Sequence, residues 1–308
     1  MNEADLLALL RTLPLHAGAR GLLDDAAVVG GLVLTTDTLV EGVHFLPHDP
    51  PVDVAHKLLA VNLSDLAAKG AQAEGALLNY GVRDADWDRG FFAGFADALA
   101  AYACPLIGGD TVTLPAGAPR VLTLTALGRD ASAPSRAGAR AGDLLWVTGA
   151  IGDAGAGLAI ARGEPGPPEL LRAYRRPTPR LAEGRLLGPH AHAMSDVSDG
   201  LLLDARRMAD ASGLAVALDL AAVPLSPAYL AHRGDTRASR LSAATAGDDY
   251  ELLFAAPPGF APPVPAARVG AFTPGAGLSL AHAGERVPLP PRLGFEHQSP
   301  LARAADAP

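Results

Sequence analysis

The sequence predicts a mixed α/β (α+β) protein of two domains. The chain has 308 residues, which at roughly 150 residues per domain corresponds to about two domains. Hydrophobic residues make up 49% of it, so there is ample material for a core. Short apolar or β-branched runs alternate with longer segments of helical spacing in both halves. A polar stretch rich in small residues, 130–142, separates the halves and places the domain boundary near residue 140.

Residues 1–140 are predicted to form the N-terminal domain. Residues 52–69 carry apolar side chains at Val54, Leu58 and Val61, the spacing of a helix face, and the run ends before Gly70. Residues 121–127 alternate and are rich in residues that favour strands. The other elements expected in this half are helices at 1–11 and 87–103 and strands at 31–37 and 75–82.

Residues 141–298 are predicted to form the C-terminal domain. A strand at 144–148 opens it, and a helix at 201–212 is closed by Gly213. The proline-rich stretches 163–168 and 257–265 are expected to be loops, and residues 299–308 a disordered tail. The remaining expected elements are helices at 154–162 and 179–187 and strands at 191–194, 214–218 and 250–255.

Composition excludes several classes of protein. The formal charge is −8 and there is no basic run, which argues against a nucleic-acid binder. A single cysteine excludes an intramolecular disulfide and a cysteine-based zinc site. No apolar stretch is long enough to span a membrane, and the acidic first residues lack the basic segment of a signal peptide. We therefore expect a soluble cytoplasmic protein that binds neither nucleic acid nor membrane.

The chain contains only two lysines, Lys57 and Lys69. A P-loop needs a lysine between glycine and serine or threonine. Neither lysine stands in that context, so any nucleotide here is bound without a Walker A loop.

Aspartates occur in compact polar motifs along the chain. An aspartate beside glycine or serine is usually a turn residue or a helix cap. Several such motifs together favour a second interpretation: if the carboxylates converge, their repulsion needs a divalent cation, and oxygen ligands without histidine or cysteine favour Mg²⁺. Magnesium held this way usually also binds substrate phosphates. The residues alone thus give a hypothesis of magnesium-dependent phosphate chemistry.

These motifs resemble those of the bacterial thiamine-monophosphate kinase family, a branch of the superfamily that includes aminoimidazole ribonucleotide synthetase. The resemblance covers about residues 20–297, and six motifs occur in the family's order. The six motifs are Asp-Asp-Ala-Ala at 24–27, the segment 35–45, the segment 60–68, Leu-Ile-Gly-Gly-Asp-Thr at 106–111, Val-Ser-Asp-Gly-Leu at 197–201 and Gly-Asp-Asp-Tyr-Glu-Leu at 247–252.

The resemblance implies a two-domain aminoimidazole ribonucleotide synthetase-like fold, with the N-terminal sheet domain used in homodimer formation. It implies that ATP and several Mg²⁺ ions bind in a cleft. It further implies that the γ-phosphoryl group passes directly to thiamine monophosphate, the last step of thiamine diphosphate biosynthesis. No protein nucleophile is implied, in keeping with phosphoryl transfer by positioning and charge neutralisation.

The resemblance also assigns roles to individual positions. The metal ligands it implies are Asp25, Thr35, Thr36, Asp37, Asp65, Asp110, Asp196 and Asp199. The positions it implies for ATP are Gly109, Asp110, Arg136 and Ser198. The positions it implies for the acceptor substrate are His44, Asp248 and Phe295. Three positions differ from the usual family residue: Leu23 replaces glycine, Asp248 replaces glutamate, and Phe295 replaces tryptophan or tyrosine.

Two other functions stay open at this point. One is a different ATP-dependent reaction of the same superfamily, such as that of aminoimidazole ribonucleotide synthetase. The other is nucleotide binding without turnover, which the number of retained aspartates disfavours.

Overall fold

The protein, described here from a computed structural model, is placed over residues 3–129 and 132–297. The predicted disordered tail lies outside these residues. The helices are α1 (Glu3–Leu10), α2 (Pro51–Ala68), α3 (Ala85–Ala101), α4 (Asp153–Ala161), α5 (Pro168–Arg175), α6 (Leu181–Leu187), α7 (Leu201–Ala211), α8 (Pro227–Arg233) and α9 (Arg237–Thr245). The strands are β1 (Ala27–Val29), β2 (Leu32–Val40), β3 (Gln72–Val82), β4 (Leu106–Thr113), β5 (Val121–Arg129), β6 (Leu144–Thr148), β7 (Ala193–Asp196), β8 (Leu214–Asp219), β9 (Leu252–Ala256), β10 (Ala266–Pro274), β11 (Gly277–His282) and β12 (Glu285–Val287).

The first five strands form one sheet in the order β1-β2-β5-β3-β4. All neighbours are antiparallel except β3 and β4, which are parallel. Side chains alternate along β5, so Leu122 and Leu124 are buried on one face while Val121 and Thr123 lie on the other. Helices α2 and α3 cover the first face, which we call the inner face.

Helix α2 lies in the middle of the molecule. Thirteen of its 18 residues are buried, as expected for a helix that is apolar on nearly all sides. It packs on the first sheet through Leu58 and Leu66, and its last turn packs on the second sheet through Ala67 and Ala68. Helix α6 approaches it closely at Gly184, where a Cβ atom would lie 2.0 Å from the Ala67 carbonyl oxygen. Because α2 touches both sheets, its polar residues lie between them.

The last seven strands form a second, mixed sheet in the order β12-β11-β8-β10-β6-β9-β7. Helix α7 packs on it through Leu202 and Met208 within the larger hydrophobic core. The opposite face at β9 packs through Phe254 against the end of α2. The described residues include no helix that is long and apolar enough to cross a membrane.

The fold class predicted from the sequence is confirmed, but several elements were missed. The sequence pattern predicts no strand at β4, because two consecutive glycines interrupt its apolar residues. Helix α5 begins at Pro168, the last residue of a predicted loop, because proline is well suited to the first helical position. The other missed elements are β1, α8, α9, β10, β11 and β12. The boundary near residue 140 stays a prediction; it falls between strands β5 and β6.

Candidate active site

Three of the aspartates meet between the two sheets. Asp25 precedes β1, Asp65 lies on α2 and Asp196 is the last residue of β7. One carboxylate oxygen of each lies within 4.8 Å of the other two. The Ser64 hydroxyl donates to Asp196 at 2.6 Å, and the Thr35 hydroxyl donates to Asp65. We call Asp25, Asp65 and Asp196 the carboxylate cluster.

The carboxylate cluster is electrostatically frustrated. Burial, together with the neighbouring charges of Asp37 and Asp196, raises the pKa of Asp65 well above its usual value. Burial and the charge of Asp25 likewise raise the pKa of Asp196. Asp37 lies beside the cluster on β2, and burial and the Asp25 charge raise its pKa to about 6. Such a site favours a bound cation, since the alternative is protonation.

Two cations form ion pairs with one member of the cluster, Asp25. Lys69 Nζ lies 2.7 Å from Asp25 and 2.5 Å from the adjacent Asp24. Arg136 also pairs with Asp25. Burial alone would raise the pKa of Asp25, but these two cations outweigh it and lower that pKa to about 2. Asp25 is therefore ionised, whereas Asp65 and Asp196 form no ion pair within residues 3–129 and 132–297.

Asp199 and Ser198 lie at the start of α7, on the side of a cavity between the two sheets. The start of the helix is capped by Asp204, whose carboxylate accepts from the backbone N–H of Asp199 at 3.1 Å. Arg207 pairs with Asp199 and lies 3.3 Å from Asp204. Burial and the charge of Asp199 raise the pKa of Asp204 to about 7.

The two predicted threonine ligands point in different directions. Thr35 is buried on the inner face and reaches Asp65. Thr36 lies on the outer face, where its hydroxyl donates to the Leu124 carbonyl oxygen at 3.1 Å and accepts from Thr125. Neighbouring residues on a strand face opposite sides, so only one of the two hydroxyls reaches the cluster.

Gly109 and Asp110 do not reach the carboxylate cluster in this chain. Asp110 lies in the middle of β4, not at the end of a strand, and every residue of β4 is exposed. Its row across the sheet is Asn79, Thr123 and Thr38, the outer-face residues of β3, β5 and β2. At about 4.8 Å per strand, Asp110 is roughly 14 Å from β2. Gly109 has φ +149°, and a Cβ atom there would lie 1.8 Å from the Leu78 carbonyl oxygen, so this position requires glycine.

A cavity of about 910 Å³ opens beside the cluster and is bordered by Asp37 and Asp199. All three predicted substrate positions, His44, Asp248 and Phe295, line it. The His44 ring accepts the Val40 N–H at 3.0 Å through Nδ1 and lies 5.3 Å from the His297 ring. Burial and the His297 charge lower the pKa of His44.

The carboxylates of the motif at 247–252 have two roles: one lines the cavity, and two hold neighbouring elements of the fold. Asp248 faces the cavity, whereas the Asp249 carboxylate accepts the Gly152 N–H at 2.8 Å near the start of α4. Glu251 is held by Arg180 at 2.5 and 2.7 Å and by the Thr148 hydroxyl. The motif therefore joins structural carboxylates to one that is available to a ligand.

Sequence reasoning missed both lysines, which it used only to exclude a P-loop. Lys57 and Lys69 are both buried, one at each end of the site. Lys57, Val61, Asp65 and Lys69 follow one another at four-residue spacing, so they form one stripe along α2. This four-residue spacing, which places both lysines of the chain on the same helix stripe as Asp65, is the sequence signal that indicates their place in the site.

Comparison with known proteins accounts for both halves of the chain. Models of the AIR synthase related protein match residues 23–129 with the N-terminal domain and residues 140–285 with the C-terminal domain. The thiamine-monophosphate kinase of Caulobacter vibrioides is 40% identical, and the match covers 96% of this chain and 91% of that relative. The chain belongs to the thiamine-monophosphate kinase family.

Solved structures agree with membership of the thiamine-monophosphate kinase family. AaThiL complexed with AMPPCP and TMP has a TM-score of 0.83 and 29% identity, covering 96% of this chain and 97% of that one. The thiamine monophosphate kinase of Aquifex aeolicus has a TM-score of 0.79 and 29% identity, covering 92% and 97%. Hydrogenase maturation protein HypE in complex with ATP is only 20% identical and shares the fold alone. The family resemblance read from the six motifs is thereby confirmed.

Proposed function

We propose that this chain transfers the γ-phosphoryl group of ATP to thiamine monophosphate and releases thiamine diphosphate and ADP. The observation that carries this proposal is a carboxylate cluster beside a cavity, in a chain whose relative at 40% identity over nearly its whole length is a thiamine-monophosphate kinase. AaThiL, which shares the fold over 96% of this chain, is complexed with AMPPCP and TMP. The reaction is a phosphotransfer to a phosphate acceptor.

We assign the carboxylate cluster to Mg²⁺ ions. The fit rests on the donor chemistry: three buried carboxylates converge, and those of Asp65 and Asp196 have raised pKa values. Asp37, Asp199 and the Thr35 hydroxyl extend this oxygen-rich wall and offer ligands for more than one ion. When bound, Mg²⁺ supplies charge neutralisation for the phosphates of ATP and of the acceptor.

We assign the phosphates of ATP to Arg136, which pairs with Asp25 of the carboxylate cluster, and to Ser198, which lines the cavity. Arg136 carries a planar guanidinium group suited to phosphate oxygens. Its Nε is buried without a hydrogen-bond partner in the described part of the chain, although its Nη2 pairs with Asp25. A buried donor of this kind is rarely left unpaired, so it is available to a bound anion.

We assign the acceptor to His44, Asp248 and Phe295, which line the same cavity. The neutral His44 ring donates through Nε2, because Nδ1 already accepts a backbone N–H. The Phe295 ring offers a flat apolar face to an aromatic substrate. Positioning of the two substrates within one cavity makes direct transfer the mechanism, with no phosphorylated side chain.

We further propose a homodimer formed through the first sheet at its exposed β4 edge. Strand β4 is an exposed edge with Leu106, Ile107 and Val112 open to solvent, an arrangement that invites pairing. Gly109 and Asp110 lie on this strand, far from their own cluster, so their assigned contacts to ATP and Mg²⁺ would be made in the dimer. Light scattering tests this: we expect twice the chain mass of 31.4 kDa. A monomer at micromolar concentration would contradict it.

The activity test is conversion of thiamine monophosphate by purified protein with ATP and Mg²⁺. Thiamine diphosphate and ADP are expected in equal amounts, and omission of Mg²⁺ should abolish both. No thiamine diphosphate, together with turnover of formylglycinamidine ribonucleotide, would show instead that the chain has the aminoimidazole ribonucleotide synthetase activity. ATP binding without any turnover would support the non-catalytic alternative. The cytoplasmic location stays a prediction.

A further inference from the structure

Lys57 lies at the acceptor end of the cavity, and neither sequence reasoning nor the assigned chemistry gives it a role. Its side chain is only 2% exposed. Its ammonium group lies 2.7 Å from Asp248 Oδ2 and donates to the His44 carbonyl oxygen at 3.1 Å. The ring of Tyr174 lies 4.3 Å from Nζ, in a cation–π contact. Lys57 therefore contacts two of the three predicted substrate positions from behind the cavity wall.

Asp248 is held from both sides. Its Oδ2 accepts from Lys57, and its Oδ1 accepts from the Tyr250 hydroxyl at 3.0 Å. The turn that carries it is strained, because Asp248 and Tyr250 have φ values of 69° and 53°, a region that non-glycine residues rarely occupy. Two side-chain bonds thus fix a carboxylate on a backbone that would not keep this conformation by itself.

The carboxylate of Asp248 still reaches the cavity. Its side chain is 28% exposed, whereas Lys57 is almost completely covered. Asp248 therefore lies between Lys57 and the ligand, and Lys57 acts on the ligand only through Asp248 and the His44 segment. That arrangement defines a positioning residue.

Stability alone does not account for the Lys57–Asp248 pair. Removing a lysine ammonium from water costs free energy that a buried ion pair often fails to recover, and an apolar side chain of similar length frequently packs as well. The pair instead connects four elements that surround the cavity. These are helix α2, the His44 segment, the 247–251 turn and, through the Tyr174 ring and its hydroxyl bond to Asp49 at 2.9 Å, helix α5.

We propose that Lys57 is a positioning residue for the acceptor substrate: it orients the Asp248 carboxylate and the His44 segment, and it leaves the nucleotide half of the site unaffected. This inference rests on the proposed kinase function. Lys57 and the carboxylate cluster have separate roles along α2. With a rise of 1.5 Å per residue, Asp65 lies about 12 Å further along the helix than Lys57.

Steady-state kinetics of Lys57→Met test the proposal. Loss of a charge-assisted hydrogen bond predicts that KM for thiamine monophosphate rises about tenfold or more. KM for ATP should change less than about twofold, as should the affinity for AMPPCP measured by calorimetry, because the described side-chain contacts of Lys57 are to His44, Asp248 and Tyr174, none of which is assigned to ATP. Lys57→Arg keeps the charge but not the fit and should give an intermediate KM. Arg89→Met, which removes an exposed ion pair on α3, is the matched control and should change nothing.

A double variant distinguishes positioning from bulk stability and also covers a failure of Lys57→Met to fold. Lys57→Met with Asp248→Asn leaves no unpaired buried charge and should fold. If Lys57 acts through Asp248, the double variant has a KM for thiamine monophosphate within about threefold of Asp248→Asn alone. Additive losses, an equal rise in KM for ATP, or an unchanged KM for thiamine monophosphate in Lys57→Met would each overturn the proposal. A wild-type protein that forms no thiamine diphosphate would instead overturn the proposed function.

Discussion

Lys57, within helix α2, and Lys69, directly after its last residue, are both buried beside carboxylates, but the balance of charge around them differs. The Lys57 ammonium group pairs with one carboxylate, that of Asp248, whose other oxygen accepts from the Tyr250 hydroxyl. Near Lys69, the three cations Arg20, Lys69 and Arg136 pair with Asp24 and Asp25. Within the described part of the chain no cation pairs with Asp65 or Asp196, and both have raised pKa values. A balanced pair can only position what it touches. An unbalanced cluster stores unfavourable electrostatic energy that a bound cation releases.

The largest expected effect is on folding, from Lys69→Met. Lys69 is fully buried, and its loss leaves Asp24 with Arg20 alone and Asp25 with Arg136 alone. Removing one partner of a buried pair typically costs about 3–5 kcal/mol. Urea unfolding in EDTA should therefore show a loss of that size in the free energy of unfolding.

Lys57→Met is the comparison for this measurement. Its partner Asp248 is partly exposed and can be solvated, so the loss should be smaller, about 1–2 kcal/mol. Equal losses in the free energy of unfolding of the two variants would contradict the difference in charge balance between Lys57 and Lys69.

The second effect has the opposite sign and comes from Asp196→Asn. Because burial and the Asp25 charge raise the pKa of Asp196, the folded state needs a proton that the unfolded state gives up. The carboxylate therefore destabilises the fold above its unfolded pKa, and more so as the pH rises. Asparagine should increase the free energy of unfolding without metal by about 1–3 kcal/mol, with a larger gain at pH 8 than at pH 5.

The same Asp196→Asn variant should lose stabilisation by Mg²⁺ and also turnover. Unfolding curves with EDTA and with Mg²⁺ measure both changes on one sample. A variant that is destabilised without metal, or that Mg²⁺ stabilises as much as the wild type, would contradict the assignment of the cluster to metal.

The smallest effect concerns pH at the acceptor end. Burial and the His297 charge lower the pKa of His44, so between pH 7 and 5 the unfolded chain binds more protons there than the folded chain. The contribution of His44 to stability is present above its unfolded pKa and is lost as pH falls through its folded pKa. The wild type should lose more stability between about pH 7.5 and 5.5 than His44→Asn, by less than about 1 kcal/mol. Asparagine keeps a hydrogen-bond acceptor but does not titrate, and identical pH profiles would show that His44 does not contribute.

Much of the fold could be read from the sequence because its signals are local. The apolar spacing of α2 and the alternation of β5 gave their bounds within two residues. Elements without such a pattern were lost: β4 is interrupted by glycines, and α8 and α9 are short and carry polar residues. Strand β4 carries exposed apolar side chains at the edge of the sheet, so its role depends on a partner surface that periodicity does not reveal.

The candidate site was only partly predictable for the same reason. The family resemblance predicted Asp25, Asp65 and Asp196 as metal ligands, and the structure places them together. It also predicted Asp110 and Thr36 as metal ligands, but their side chains lie on the other face of the sheet. A motif identifies a residue but not the direction of its side chain, which depends on strand register.

The sequence by itself determined the mixed α/β class, the absence of a P-loop and the family, because composition, periodicity and motif order are properties of the chain. Only the tertiary structure decided which charges meet. Lys57 pairs with Asp248, 191 positions away, and Arg136 with Asp25, 111 positions away. Such pairs depend on how α2 packs between two sheets. Electrostatic energy depends on distance and burial in space, and neither is encoded in any local stretch of sequence.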